Sequence, residues 1–143
     1  MKKILIFLIK ELILFIIGGL IYVSIELMSR GFSHWSMAIC GGLCFVVIGL
    51  MNEWYNWEMS LISQSLSGAI TITCLEFIFG YIFNIKLNMN IWDYSDRQFN
   101  LYGQICLHHS ILYWIPLSAI SVILDDWLRY KLFKEKIYRY KII

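Results

Sequence analysis

Ile4-Leu-Ile-Phe-Leu-Ile-Lys-Glu-Leu-Ile-Leu-Phe-Ile-Ile-Gly-Gly-Leu-Ile-Tyr-Val-Ser-Ile-Glu-Leu-Met28 is the stretch that decides the fold class. A helix needs roughly 20 apolar residues to cross a hydrocarbon core of about 30 Å, and this run is long enough. Three further apolar segments follow, at 35–52, 61–83 and 101–124. Open strands would leave backbone groups unpaired in lipid, and no alternating pattern supports a barrel, so all four segments are expected to be helices. The expected fold is an all-α membrane protein: a four-span transmembrane domain over 1–124 and a basic amphipathic C-terminal helix in the tail over 125–143.

Composition agrees. Of 143 residues, 59% are apolar and only 15% charged, whereas a soluble domain carries about a quarter charged residues. A single proline and the lack of any Ser/Gly-rich run leave no room for a linker or a disordered tail. Lys2-Lys3 ahead of an apolar run has the outline of a signal peptide. The run passes Gly18-Gly19 with no small-x-small cleavage site before Glu26, so a retained first span is expected.

The basic residues set the orientation. Lys2, Lys3 and Lys10 lie near one end of the sequence, and Arg129, Lys131, Lys134, Lys136, Arg139 and Lys141 near the other. Only Arg30, Lys86 and Arg97 belong to the opposite side of a four-span arrangement. The positive-inside rule then places both termini in the cytoplasm of a multi-pass protein. The short turn 29–34 and the long connection 84–100 face outward, and the aromatic turn 53–58 faces inward. In the tail, Trp127, Leu128, Leu132, Phe133 and Ile137 share one face ringed by Lys and Arg, which suits the anionic headgroups of the inner leaflet. Positive charge next to a span has a membrane reason, so no nucleic-acid partner is expected. The four cysteines all lie in apolar segments with no CxxC pair. They read as packing residues, and neither a disulfide framework, a metal site nor a cofactor is expected.

The first and third segments match internally. Gly18 is followed by Glu26 and Gly68 by Glu76, each eight residues on. Each glutamate precedes a connection with a tryptophan among polar residues (His34-Trp35-Ser36; Trp92-Asp93-Tyr94-Ser95). Each connection leads into Gly-x-aliphatic-Cys (Gly41–Cys44; Gly103–Cys106). The match describes two tandem helical hairpins related by a pseudo-two-fold axis along the membrane normal, as in parallel-repeat transporters.

Glu26 and Glu76 are the central candidates. Each lies on the order of 22–24 Å along its helix, in the outer part of the bilayer. There a carboxylate costs about 2.5–3.5 kcal/mol and needs a partner or a cavity. Arg30 shares a face with Glu26, four residues on. Glu76 has no local cation, but Ser65, Ala69, Thr73, Glu76, Gly80 and Asn84 form a small, polar stripe that should face another helix or a cavity. Two readings follow. In one, Glu26, Glu76 and the outward connections line a polar site. In the other, the chain is a membrane assembly or interaction protein whose tail recruits partners and in which the same groups staple helices, with Glu26–Arg30 and Glu76–Arg97 as ion pairs.

In the site reading the carboxylates attract a cationic or zwitterionic ligand, and Trp35, Trp92 and Tyr94 offer ring faces. Asp93, Asn84, Asn100 and Gln104 orient the ligand, and Arg30 and Arg97 balance charge. His34 belongs to the outward turn. His108, on the face of Gln104, extends the site or relays protons, and Pro116 should kink the fourth segment. No GxSxG elbow, HExxH or Walker loop is present. An enzyme acting on a lipid headgroup through Glu26, Glu76, His34 and Asp93 is the least supported class.

The chain resembles a family of small Gram-positive bacterial membrane proteins, the ABC-transporter type IV (CmpB-like) permeases. The likeness rests on Ile25-Glu-Leu-Met-Ser-Arg-Gly-Phe-Ser-His-Trp-Ser-Met37, Gly49-Leu-Met-Asn-Glu53, Thr73-Cys-Leu-Glu-Phe-Ile-Phe-Gly80, Ile91-Trp-Asp-Tyr-Ser95 and Asn100-Leu-Tyr-Gly-Gln-Ile-Cys106. The resemblance implies a helical bacterial plasma-membrane protein with a transport role. Because this chain has no ATPase motif, it also implies a separate ATPase subunit and a homo-oligomer.

Overall fold

A computed structural model describes residues 2–54, 59–136 and 140–143, without the side chains of 52–54. Residues 55–58 of the aromatic turn expected at 53–58, and Ile137 of the tail, therefore lie outside what is described. Four helices account for most of the described chain: α1 (Lys2–Arg30), α2 (Trp35–Trp54), α3 (Leu61–Lys86) and α4 (Leu107–Phe133). Three of them, α1, α3 and α4, are long and apolar enough to cross a membrane; the apolar stretch of α2 is the shorter Trp35–Met51.

Local chemistry sets the helix ends. Gly31 ends α1 at φ 78°, a left-handed position that costs glycine little. Its N–H returns to the Leu27 carbonyl at 3.1 Å. His34 begins α2, its Nδ1 meeting the Ser36 hydroxyl at 2.8 Å and accepting the Ser36 N–H at 3.3 Å. Ser60 caps α3 by accepting the Ser63 N–H.

The helices pack as two antiparallel pairs, α1 with α2 and α3 with α4. Glycine lets α1 and α2 approach closely. A Cβ on Gly19 would lie 2.5 Å from the Ala38 carbonyl oxygen, and one on Gly42 2.6 Å from that of Phe15. Cys40, Cys44 and Ile48 of α2, Ala69 and Ile72 of α3, and Trp114 and Val122 of α4 form the central core. A smaller cluster packs Ile91 and Trp92, of the long connection between α3 and α4, with Met37 of α2.

Three expectations need correction. Residues 101–106 do not begin the last helix. Asn100–Leu101 (β1) pairs with Ile105–Cys106 (β2) in an antiparallel hairpin. Tyr102 (φ 50°) and Gly103 (φ 69°) make its turn, and the Asn100 carbonyl-amide oxygen accepts the Gly103 N–H at 2.9 Å. The second Gly-x-x-Cys segment is thus hairpin backbone, whereas Gly41–Cys44 is helix, so this part of the internal match has no shared conformation. Nor does the last span give way to a separate tail helix at 124; one helix runs through that point. It continues to Phe133, because Asp125 and Arg129 pair one turn apart, Nε to Oδ2 at 2.6 Å, inside the bundle rather than at its surface. Beyond it the chain folds back, and the Leu61 N–H donates to the Lys141 carbonyl at 2.7 Å.

Pro116 leaves its mark as a change of helix type. A π-helical turn over Ser110–Trp114 directly precedes it, and a second π-helical run, Gly80–Lys86, ends α3. Such turns are common at functional sites. Here the first carries Trp114 toward Glu76.

Candidate functional site

Glu26 and Glu76 are both buried, at 7% and 4% exposure, near the same end of the bundle. The Arg30 guanidinium donates to Glu26 Oε1 at 2.5 Å and the Ser33 hydroxyl to its Oε2 at 2.5 Å. Arg30 also donates to the Ile91 carbonyl at 3.1 Å, tying α1 to the long connection, and its guanidinium lies 4.4 Å from the centre of the Phe32 ring. Among the described residues no cation bonds to Glu76. Its Oε1 accepts from the Tyr94 hydroxyl at 3.1 Å and its Oε2 from Trp114 Nε1 at 2.9 Å. Tyr22 of α1 lies within electrostatic reach of both carboxylates and packs against Trp114, ring centres 6.4 Å apart. The Arg30 guanidinium is thus bonded to one of two buried carboxylates, in a desolvated setting where electrostatic effects are strong.

Tyr94 is held as a donor. Burial above all, then the Glu76 charge and hydrogen bond, push its phenol above the ordinary tyrosine range. The proton stays on the ring oxygen and points at the carboxylate.

The remaining expected residues fall into separate groups. Asn84, Trp92 and Gln104 form a clasp. The Asn84 amide donates to the Trp92 carbonyl at 2.9 Å and to Gln104 Oε1 at 2.8 Å, and its oxygen accepts the Ile91 N–H at 2.7 Å. Trp92 Nε1 donates to the Gln104 carbonyl at 2.9 Å. These polar groups thus hold the connection onto α3. Asp93 turns back on its own loop. Hydrogen bonds from the Ser95 side chain and backbone N–H hold its carboxyl below the usual carboxylate range. Asn100 closes the same loop by donating to the Arg97 carbonyl at 2.7 Å.

His34 and Trp35 lie at the start of α2, where the exposed Trp35 ring meets Phe83 edge-on at 5.4 Å. Arg97 and His108 line an outer recess of about 500 Å³ with Asp96 and Phe99. Arg97 pairs with Asp96 at 3.7 Å, so the Glu76–Arg97 ion pair of the staple reading is not formed. The stripe on α3 does face inward: Ser65, Ala69, Glu76, Gly80 and Asn84 are buried, and Thr73 donates to the Ser110 hydroxyl at 3.0 Å.

Sequence reasoning missed Tyr22 and Trp114 at this cluster, and it missed a second charged layer. At the other end of the bundle, buried Arg129 grips Glu11 with both terminal nitrogens, at 2.8 and 2.9 Å, while its Nε holds Asp125. Lys10 pairs with Glu135 at 2.6 Å beside it, and Tyr140 donates to Asp126. Fifteen residues of α1 separate Glu11 from Glu26, about 22 Å at 1.5 Å per residue. The signal for this layer was in the sequence, because Glu11 is as costly in an apolar helix as Glu26.

These observations define an all-helical membrane protein whose buried carboxylates lie near both ends of its bundle. The chain belongs to the family described as Putative ABC-transporter type IV, whose sequence model matches residues 5–142. No curated protein and no solved structure matches it.

Proposed function

We propose that the protein is a small permease or transporter component of the bacterial plasma membrane that recognises a cationic or zwitterionic ligand at Glu26 and Glu76. One observation supports this reading: of two buried carboxylates near the same end of the bundle, Glu26 bonds to the Arg30 guanidinium, whereas Glu76 accepts from the neutral donors Tyr94 and Trp114. A cation at Glu76 would supply the charged partner that Glu26 finds in Arg30. Arg30 holds Glu26 in place, and Tyr94 and Trp114 hold Glu76. Trp35, Trp92, Asp93, Arg97, Asn100 and His108 belong to the outward rim that a ligand passes.

In this reading α2 crosses the membrane with the other three helices, the two hairpins are related by a pseudo-two-fold axis, and both termini are cytoplasmic. Residues 1–124 form the transport domain. The remaining lysines of 125–143 meet anionic lipid headgroups, and a separate ATPase subunit and a second copy of the chain complete the transporter.

The staple reading keeps one specific observation in its favour, since the hydrogen bonds of Asn84, Trp92 and Gln104 are all spent within the protein. The two readings separate on Glu76→Gln, which keeps the shape and loses the charge. Binding of tetramethylammonium to the purified full chain is expected to be lost in this variant while helical circular dichroism is kept. A variant that fails to insert or fold supports the staple reading, and one that binds as tightly as the wild type overturns the cation site.

A further inference from the structure

Asp125 of α4 is fully buried, at 0% exposure, and its two carboxylate oxygens are treated differently by the bundle. Oδ2 accepts from Arg129 Nε at 2.6 Å. Oδ1 is buried too and has no hydrogen-bond partner among the described residues. Arg129 cannot serve it, because its two terminal nitrogens go to the two oxygens of Glu11 on α1, at 2.8 and 2.9 Å. One guanidinium is thus bonded to two buried carboxylates, satisfying both oxygens of Glu11 and a single oxygen of Asp125.

The charged groups nearby bring Asp125 no second cation. Lys10 of α1 is taken by Glu135 at 2.6 Å, and Glu135 also lies 3.9 Å from Arg129 Nη1. Asp126, next in the chain, is a further acid and accepts from the Tyr140 hydroxyl. On α2 the neighbour is Gly49, and Glu53, four residues further along that helix, is again an acid. The first turns of α3 carry only Ser63, Gln64 and Ser65 as polar residues over 61–66.

A bare carboxylate oxygen shut away from water is costly, and a neutral carboxylic acid in the same place far less so. Space decides what can neutralise it. A Cβ on Gly49 would lie 2.5 Å from Oδ1, so the carboxyl already fills the room that glycine leaves and is seated against the α2 backbone. On that side a metal ion or a water has no place, whereas a proton needs none. We propose that Glu11, Asp125 and Arg129 form a proton-binding site, with the proton carried on Asp125 Oδ1 at neutral pH. Acids inside spans mark proton pathways, and this one is built independently of the cation site at Glu76. Losing the proton sets Asp125 against Glu11 for one guanidinium. Since α1 and α4 otherwise touch little, the proton then bears on how α1 is held to α4.

Infrared spectra of the full chain in detergent micelles at neutral pH read the proton directly, because a carboxylic acid has a carbonyl stretch separate from the carboxylate bands. Growth on aspartate carrying carbon-13 in its side-chain carboxyl shifts the part of that stretch due to aspartic acid and leaves any glutamic acid in place. A label-shifted acid band is expected in the wild type and in Asp126→Asn. It is expected to be lost in Asp125→Asn, which keeps the side chain's shape. It should be lost as well in Glu11→Gln, where Arg129 faces Asp125 as its one bonded carboxylate, a change that a purely structural role for Glu11 does not predict. Should Asp125→Asn fail to fold, the label in the wild type and in Asp126→Asn still decides. A folded wild type with no label-shifted acid band overturns the proposal. So does a band that survives in folded Asp125→Asn or Glu11→Gln, or one that disappears from folded Asp126→Asn.

Discussion

Glu26 and Glu76 began as equivalent carboxylates in the sequence, and their surroundings separate them. Glu26 finds its partner four residues on, so the Glu26–Arg30 pair was legible from spacing alone. Glu76 is held by Tyr94 and Trp114, 18 and 38 residues away. No local pattern marks such donors, because they depend on how the hairpin of β1 and β2 and the π turn before Pro116 aim two aromatic rings. Arg129 was misjudged for a related reason. Among so many tail cations it reads as interfacial, yet it is 3% exposed and bound to Glu11 and Asp125. Removing one partner of a buried pair strands the others, at a cost of about 3–5 kcal/mol. Arg129→Met should therefore lower the unfolding free energy by about that amount in detergent micelles. The double variant Glu11→Leu/Arg129→Met should recover part of the loss, and an unchanged denaturation midpoint in the single variant contradicts the buried network.

At the scale of elements, hydropathy reported what it physically measures. It located every helix, because the cost of an unpaired backbone in lipid leaves an apolar run little other choice. It could not find the hairpin at 100–106, where Leu101, Ile105 and Cys106 are as apolar as the helix that follows. Polar bonding at Asn100 and the left-handed backbone at Tyr102 and Gly103 decide that segment, and neither shows in an average. The end of α4 was missed because charge was taken as the end of a span. The contact of α1 with α2 rests on two glycines placed reciprocally against carbonyl oxygens. A side chain at either must push the helices apart, and overpacking of this kind costs about 1–3 kcal/mol. Gly19→Leu and Gly42→Leu should each lower the melting temperature in micelles. Gly31→Ala, whose added Cβ meets nothing within 4 Å, disturbs only its left-handed backbone and should cost less. A reversed order contradicts the close-packed hairpin.

Over the whole molecule, two charged layers about 22 Å apart bracket a central apolar core. The layer at Arg129 is cross-linked by ion pairs to Glu11, Asp125 and, through Lys10, Glu135, whereas at the other layer Glu76 is held by the neutral donors Tyr94 and Trp114. This asymmetry gives the proposed direction of recognition: structural pairing at one end of the bundle, a ligand at the other. The proposed function requires that a cation meet Glu76 itself. Infrared difference spectra of the full chain, recorded with and without tetramethylammonium, test it most directly, since carboxylate stretching bands report the charge and contacts of the group. The account predicts a carboxylate band that shifts on binding in the wild type and is missing from the difference spectrum of Glu76→Gln. Tetramethylammonium that binds while leaving the carboxylate bands unmoved, or that moves the same band in both proteins, contradicts it.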